Sequence, residues 1–415
     1  MMRSVSTLSL ILLAAGLILF FFGIQGIRNI VVRGDLEIQK EEEAPLTLQY
    51  SLVEASSLGN IERVKRLIES KGVSPNIVDP LGRSPLRAAL ESGHVMIAKY
   101  LLNNGAAIND IDLEGNSALM IAARFGKIEP FLLLLEKGAN INHRSRLGRT
   151  ALYEAALSGN YDMVERLIEA KANTAVTDIF GNTIIHAAVL SENIPVLRSV
   201  IATDVNIDSQ NESGITPLGL AASHQLLAQV KILLKNEATI SIKDIEGENV
   251  LTLAVRADEM RVNRQNQEAR AIESLGEVKV AEKIKEVTLQ DLRKTEEVVS
   301  ALLSGDSTDQ ILVNSVDREL RTPLMYAALN GNFLVVERLI KAGADLNHQD
   351  ASGMTAIHMA TQAGYTVIVE DLLQAGANIE LRNKQGRTPI QLAHDLGHKE
   401  VEETLTRQAQ EEARE

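Results

Sequence analysis

A turn-starting polar residue returns along the chain at Asp79, Asp112, Ser145, Asp178, Asn211, Asp244, Asp317, Asp350 and Asn383, at intervals of 33 residues with a single interval of 73. An alanine follows each in fixed phase, at Ala89, Ala122, Ala155, Ala188, Ala221, Ala254, Ala327, Ala360 and Ala393. A unit this short cannot bury its own apolar face, so units must stack on one another into a solenoid.

Within the unit that starts near Asp110, a glycine turn leads to Ser117, whose hydroxyl can cap a short helix carrying Leu119, Ala122 and Ala123 on one face. Gly126 breaks that helix, and a second one with Phe131, Leu132, Leu134 and Leu135 ends at Gly138. Each unit is thus a helix, a tight turn, a helix and an extended loop that bends back as a hairpin. Thr216-Pro217-Leu218, Thr322-Pro323-Leu324, Thr388-Pro389-Ile390 and Ser84-Pro85-Leu86 open the first helices, with His186 and His358 one place further on in two other units. Gly138-Ala139-Asn140-Ile141-Asn142, Gly343-Ala344-Asp345-Leu346-Asn347 and Gly376-Ala377-Asn378-Ile379 close the second. These units resemble ankyrin repeats, over about Leu46 to Arg407. The histidine is replaced at Met120, Tyr153, Gly219, Thr252, Met325 and Gln391, and the loop glycine at Glu237. A capping unit precedes the counted series, where Ala55, Gly59, Val64, Leu67 and Gly72 repeat the helical half with one extra residue near Lys71. About ten units result, spanning residues 46–407, with a polar tail over 408–415.

The long interval places an insertion in the seventh unit. From the phase alanine to the second helix takes 8 residues in the next unit (Ala327 to Val335) but 44 here (Ala254 to Val298), and Gly276 sits midway. Both helices lengthened by about eighteen residues would project a helical hairpin of roughly 27 Å over residues 256–296. Its charges balance, and a thin apolar stripe runs through Val278, Ala281, Ile284, Val287 and Leu292. That stripe either zips the two arms together or offers a surface for self-association.

Residues 8–27, LSLILLAAGLILFFFGIQGI, carry no charge and are long enough for a bilayer's hydrocarbon core. Arg3 precedes them, so a cleaved signal peptide is the alternative, but the run ends in Phe and Ile where a cleavage site needs small side chains. The expectation is therefore an N-terminal transmembrane helix acting as signal-anchor over residues 1–33, joined to an acidic linker over 34–45. Lys and Arg nearly balance on the two sides, so the charge rule does not choose the orientation. The short positive leader favours export of the downstream chain, giving a single-pass protein of a bacterial inner membrane with its repeats facing the periplasm.

Composition closes off several chemistries. The chain has no Cys, which excludes thiol nucleophiles, disulfides and cysteine-bound metals, and a net charge of -13 disfavours a nucleic-acid partner. His394 and His398 are four apart, but His398 repeats the Gly-His of Gly93-His94 and is explained by the repeat. With no convergent acid, base, nucleophile or metal set, neither an enzyme nor a cofactor is implied. Function is then read from positions the repeat leaves free. Leu113, Leu147, Ile179 and Phe180 at the turn tips, with Phe125, Leu157 and Leu190 behind the alanine pair, form an apolar strip beside Arg124, Arg144, Arg146 and Arg149. The resemblance implies a non-catalytic module that binds a protein partner on its concave surface, here tethered to a membrane. The competing expectation is an assembly scaffold that self-associates through the inserted arm.

Overall fold

Each 33-residue unit folds as two short helices because a hydroxyl starts the first and a left-handed turn separates it from the second. Ser84 Oγ accepts from the Arg87 N–H at 3.2 Å and Thr216 Oγ1 from the Gly219 N–H at 3.1 Å, satisfying a donor that the first helical turn leaves orphaned. Pro85, Pro217, Pro323 and Pro389 sit just inside, where a missing N–H costs nothing. The computed structural model describes residues 45–257, 278–304 and 312–414. The chain divides into two units, Met1–Leu48 and Gln49–Glu415, and of the first only residues 45–48 are described.

Among the described residues the helices pair as α1 (Pro45–Ser57) with α2 (Ile61–Lys65), α3 (Pro85–Glu91) with α4 (Val95–Asn103), α5 (Ala118–Arg124) with α6 (Ile128–Glu136), α7 (Ala151–Leu157) with α8 (Tyr161–Glu169), and α9 (Ile184–Leu190) with α10 (Ile194–Ile201). The series continues with α11 (Pro217–Ser223) and α12 (Leu227–Lys235), α13 (Val250–Arg256) and α14 (Val278–Leu302), α15 (Pro323–Asn330) and α16 (Phe333–Lys341), α17 (Ala356–Ala363) and α18 (Thr366–Gln374), and α19 (Pro389–Leu396) and α20 (Lys399–Glu412). First helices pack on the first helices of neighbouring units, and second helices largely on second. The phase alanines, Ala155, Ala188 and Ala221 among them, are fully buried at these contacts. A larger side chain there would overpack by about 1–3 kcal/mol. The extra residue read near Lys71 is absorbed by a π-helical turn, Arg66–Ser70, that continues α2.

The transmembrane expectation changes. No helix among the described residues is long and apolar enough to cross a membrane. The segment expected to do so, residues 8–27, lies outside the described residues, as does all but Pro45 of the linker 34–45. The transmembrane part of the expected fold class is therefore corrected to an all-helical repeat fold. The longest described helix, α14, reads VKVAEKIKEVTLQDLRKTEEVVSAL, whose charges recur at every turn and bar it from hydrocarbon. Of the insert over 256–296, residues 258–277 lie outside the described residues. Next to these residues, α13 is described over Val250–Arg256, and α14 has 25 residues against nine in α16. Leu292 of the expected stripe is buried with Val298 and Val299, so it belongs to the solenoid's core. The polar segment expected as a tail from residue 408 continues α20 as helix through Glu412.

Candidate partner-binding face

The hairpin tips are held by their first residue. The Asp112 carboxylate accepts from the Glu114 and Asn116 N–H groups at 3.0 and 2.7 Å, and Asp178 repeats this with Phe180 and Asn182 at 2.9 Å each. Tips then bond to tips. The Arg146 N–H donates to the Glu114 carbonyl (3.0 Å), Ile179 to Leu147 (2.9 Å), Glu212 to Phe180 (2.9 Å) and Ile245 to Ser213 (3.1 Å), and the same bond joins Arg318 to Glu246, Ala351 to Glu319 and Lys384 to Ser352. With their backbone committed to this ribbon, side chains at the tips have no core to enter. Leu113, Leu147, Ile179 and Phe180 are 40–58% exposed, Phe125 is 61% exposed, Leu190 is at the edge of exposure and Leu157 is half-buried.

The arginines beside this strip do not form a free positive rim. Arg124 Nε donates to the buried Glu154 carboxylate at 2.9 Å, and Arg149 approaches the same carboxylate at 3.7 Å and Asp178 at 4.0 Å while lying 5.2 Å from the Tyr153 ring. Tyr153, in the motif's histidine position, donates to Asp178 at 2.9 Å. These two cations are thereby neutralised by carboxylates inside the stack. Arg144 donates to the Gly148 and Thr177 carbonyls at 3.0 and 2.7 Å, and it stitches two tips together. Arg146 is exposed, and its guanidinium makes no hydrogen bond or ion pair within the described residues.

The strip is longer than the sequence pattern marks. Val78 and Leu81 one unit earlier, and Ile111 just before Asp112, are also exposed apolar side chains, with Leu81 in the same tip position as Leu147 and Phe180. Arg87 is likewise unmarked by the pattern. It occupies the histidine position of its unit, is 1% exposed, and pairs with Asp112 at 2.8 Å across the interface to the next unit. Its partner is distant in sequence, so only stacking reveals the pair. His186 and His358 serve the repeat itself: each accepts from its own helix's first N–H at Nδ1 (3.2 and 3.3 Å) and donates from Nε2 to the next unit's loop, at Ile215 (3.0 Å) and Arg387 (3.2 Å). His394 and His398 part company, one bound to Glu402 at 2.9 Å and the other to the Gln362 carbonyl at 3.2 Å.

Comparison with known proteins returns the same architecture. A model of ankyrin repeats (3 copies) matches residues 52–145, 139–211, 292–350 and 324–414. Among curated proteins, Inversin of Gallus gallus is 39% identical over 74 residues, 16% of this chain and 7% of the relative. Inversin of Danio rerio is 40% identical over 73 residues (16% and 7%), and that of Mus musculus 44% over 61 (15% and 6%). The chain thus spans less than a tenth of the length of these relatives. All three are vertebrate proteins, so the bacterial inner-membrane setting with a periplasmic repeat domain is overturned. The family model covers more than half of the 415 residues, and the chain belongs to the ankyrin repeat family, whose repeats are protein–protein interaction modules.

Proposed function

We propose that the chain captures a protein partner on its concave face, through the apolar strip of the third to fifth repeats. The observation that carries this reading is the exposure of Leu113, Phe125, Leu147, Ile179 and Phe180 on a backbone already fixed by tip-to-tip bonds. A rigid surface loses little conformational entropy on binding, so apolar area removed from water converts efficiently into affinity. Arg146 adds one cation beside the strip, which favours a partner with a carboxylate flanking its apolar anchor.

Affinity purification from a cell extract with the parent chain and with Phe125→Asp/Phe180→Asp tests it. Both side chains face solvent, so the helical circular dichroism should be unchanged while the proteins specifically retained by the parent are lost. Retention of the same proteins by the folded double variant sinks the reading.

A further inference from the structure

The tips change character along the ribbon, from Leu147 and Phe180 in the fourth and fifth repeats to Ala351 and Ser352 in the ninth. Small tip side chains leave room behind them, and a cleft of about 490 Å³ opens there, between the tips that begin at Asp350 and Asn383 and the helices α15, α17 and α19. Its floor is apolar: Leu329, Met354, Met359, Leu392 and Leu396. Methionine thioethers adapt to the shape of an incoming group, which suits a floor that must accept an apolar side chain. The rim is polar and unspent. Gln362, Lys384 and Gln385 are exposed, and their side chains make no hydrogen bond or ion pair within the described residues.

Charge at this cleft runs against the chain's net -13. Its charged lining residues are Arg321, Lys384 and Asp350. The Asp350 carboxylate is consumed, accepting from the Ser352 and Met354 N–H groups at 2.8 Å each and facing Arg321 Nε at 3.7 Å. The next turn begins with Asn383, which brings no carboxylate to balance Lys384. We propose that this cleft is a second binding site, which takes a peptide segment presenting one large apolar side chain flanked by acidic residues. The apolar group enters over Met354 and Met359, the rim amides pair with the peptide backbone, and Lys384 meets the flanking carboxylate. The site shares the concave face with the strip but lies four repeats away and stands or falls separately.

The test uses the full chain and two pools of labelled, acetylated decapeptides with a central Leu, Met or Phe, one pool flanked by Asp and Glu and the other by Lys and Arg. Fluorescence anisotropy reads affinity, and methionine-methyl NMR reports on Met354 and Met359. The acidic-flanked pool should bind and move both methyl resonances, Lys384→Glu should weaken it about fivefold, and Leu396→Arg should abolish it. Binding of the basic-flanked pool with equal affinity, or no binding of either pool with both methyls unmoved, overturns the proposal. So does binding that leaves both methyls unmoved and is lost in Leu147→Asp; that result would leave the strip standing and remove the cleft. Methyl shifts that survive Leu147→Asp support the cleft whatever becomes of the strip.

Discussion

Burial pushes the imidazoles of His186 and His358 below the usual 6.5, and it outweighs the loop carbonyls of Ile215 and Arg387, which favour the charged form. Each ring is neutral in the fold and accepts at Nδ1, so a proton there removes the acceptor. Because the folded pKa lies below the unfolded one, the stabilisation is complete above about 6.5 and is lost as pH falls from there towards the folded value. Urea midpoints should therefore drop between pH 7.5 and pH 5. Gln391 fills the same position in the last repeat, and its side chain accepts from the Thr388 N–H at 3.1 Å, so His186→Gln/His358→Gln keeps the cap and should flatten that slope. An unchanged slope in the double variant would assign it to other groups. Two further residues break the pattern in opposite directions. Arg87→Ala strands Asp112 inside the stack and should cost about 3–5 kcal/mol by chemical denaturation. Ser145 is buried with no hydrogen-bond partner at its Oγ, whereas aspartate in other repeats binds two N–H groups, so Ser145→Asp should add about 1 kcal/mol. The sequence shows Ser145 as an ordinary member of the series, because its missing bonds are visible only against its neighbours' carboxylates.

At the scale of helices, the order and spacing of the elements were legible because the repeat imposes one answer nine times, and each of the counted turn starters opens a hairpin. What escaped has physical causes. The glycine turn fails in the eighth repeat, where Leu320 takes the left-handed conformation at φ 60° and is held by its N–H to the Asp317 carbonyl at 3.1 Å. The arginine rim dissolved because Arg124 and Arg149 turn inward to Glu154, whose burial depends on how α7 stacks on its neighbours. The strip's exposure was foreseeable from tip positions, whereas the ninth-repeat cleft arises from small tips and required the packed neighbours. The seventh repeat allows a direct test of what α14 contributes. Among its described side chains, Asp291, Leu292, Thr295, Val298, Val299 and Leu302 are buried. Removing residues 258–293 and setting Lys294→Gly with Thr295→Asn recreates the turn Gly331-Asn332 of the next repeat. That chain should still unfold in one cooperative step, losing about 2–5 kcal/mol for the buried leucine. Val298→Asp in the parent should instead melt the repeat. Light scattering on the spliced chain also decides the assembly reading, which requires any oligomer of the parent to disappear.

The solenoid holds together through nearest-neighbour contacts, so its cooperativity depends on every interface being intact. Two ladders run along it. One is the ribbon of tip bonds; the other links loops, with Asn76, Asn109, Asn142, Asp208, Asn314 and Asn347 each accepting from a backbone N–H in the next repeat at 2.6–2.9 Å. Ala175 and Ser241 stand in the corresponding places of two repeats. Alanine has no acceptor, and the Ser241 hydroxyl, on a shorter side chain, makes no such bond among the described residues, so this second ladder is interrupted at those junctions. Gly214 lies between them in sequence at φ 75°, and a Cβ there would sit 2.8 Å from the Ile245 backbone nitrogen and 2.9 Å from the Asp244 Cα. Neither neighbour can give way, because both are backbone atoms of the next hairpin. Gly386 has a closely similar φ of 74°, but a Cβ on it meets nothing within 4 Å. Gly386→Ala should therefore cost only local strain, about 1–2 kcal/mol, with one transition in urea. Gly214→Ala carries the same strain and also pries the sixth repeat from the seventh. Its urea curve should split into two transitions, one for each block, and cleavage after Glu212 by a glutamate-specific protease should appear under native conditions. A single transition for Gly214→Ala, displaced no further than that of Gly386→Ala, would mean the tip ribbon contributes nothing to the coupling between repeats.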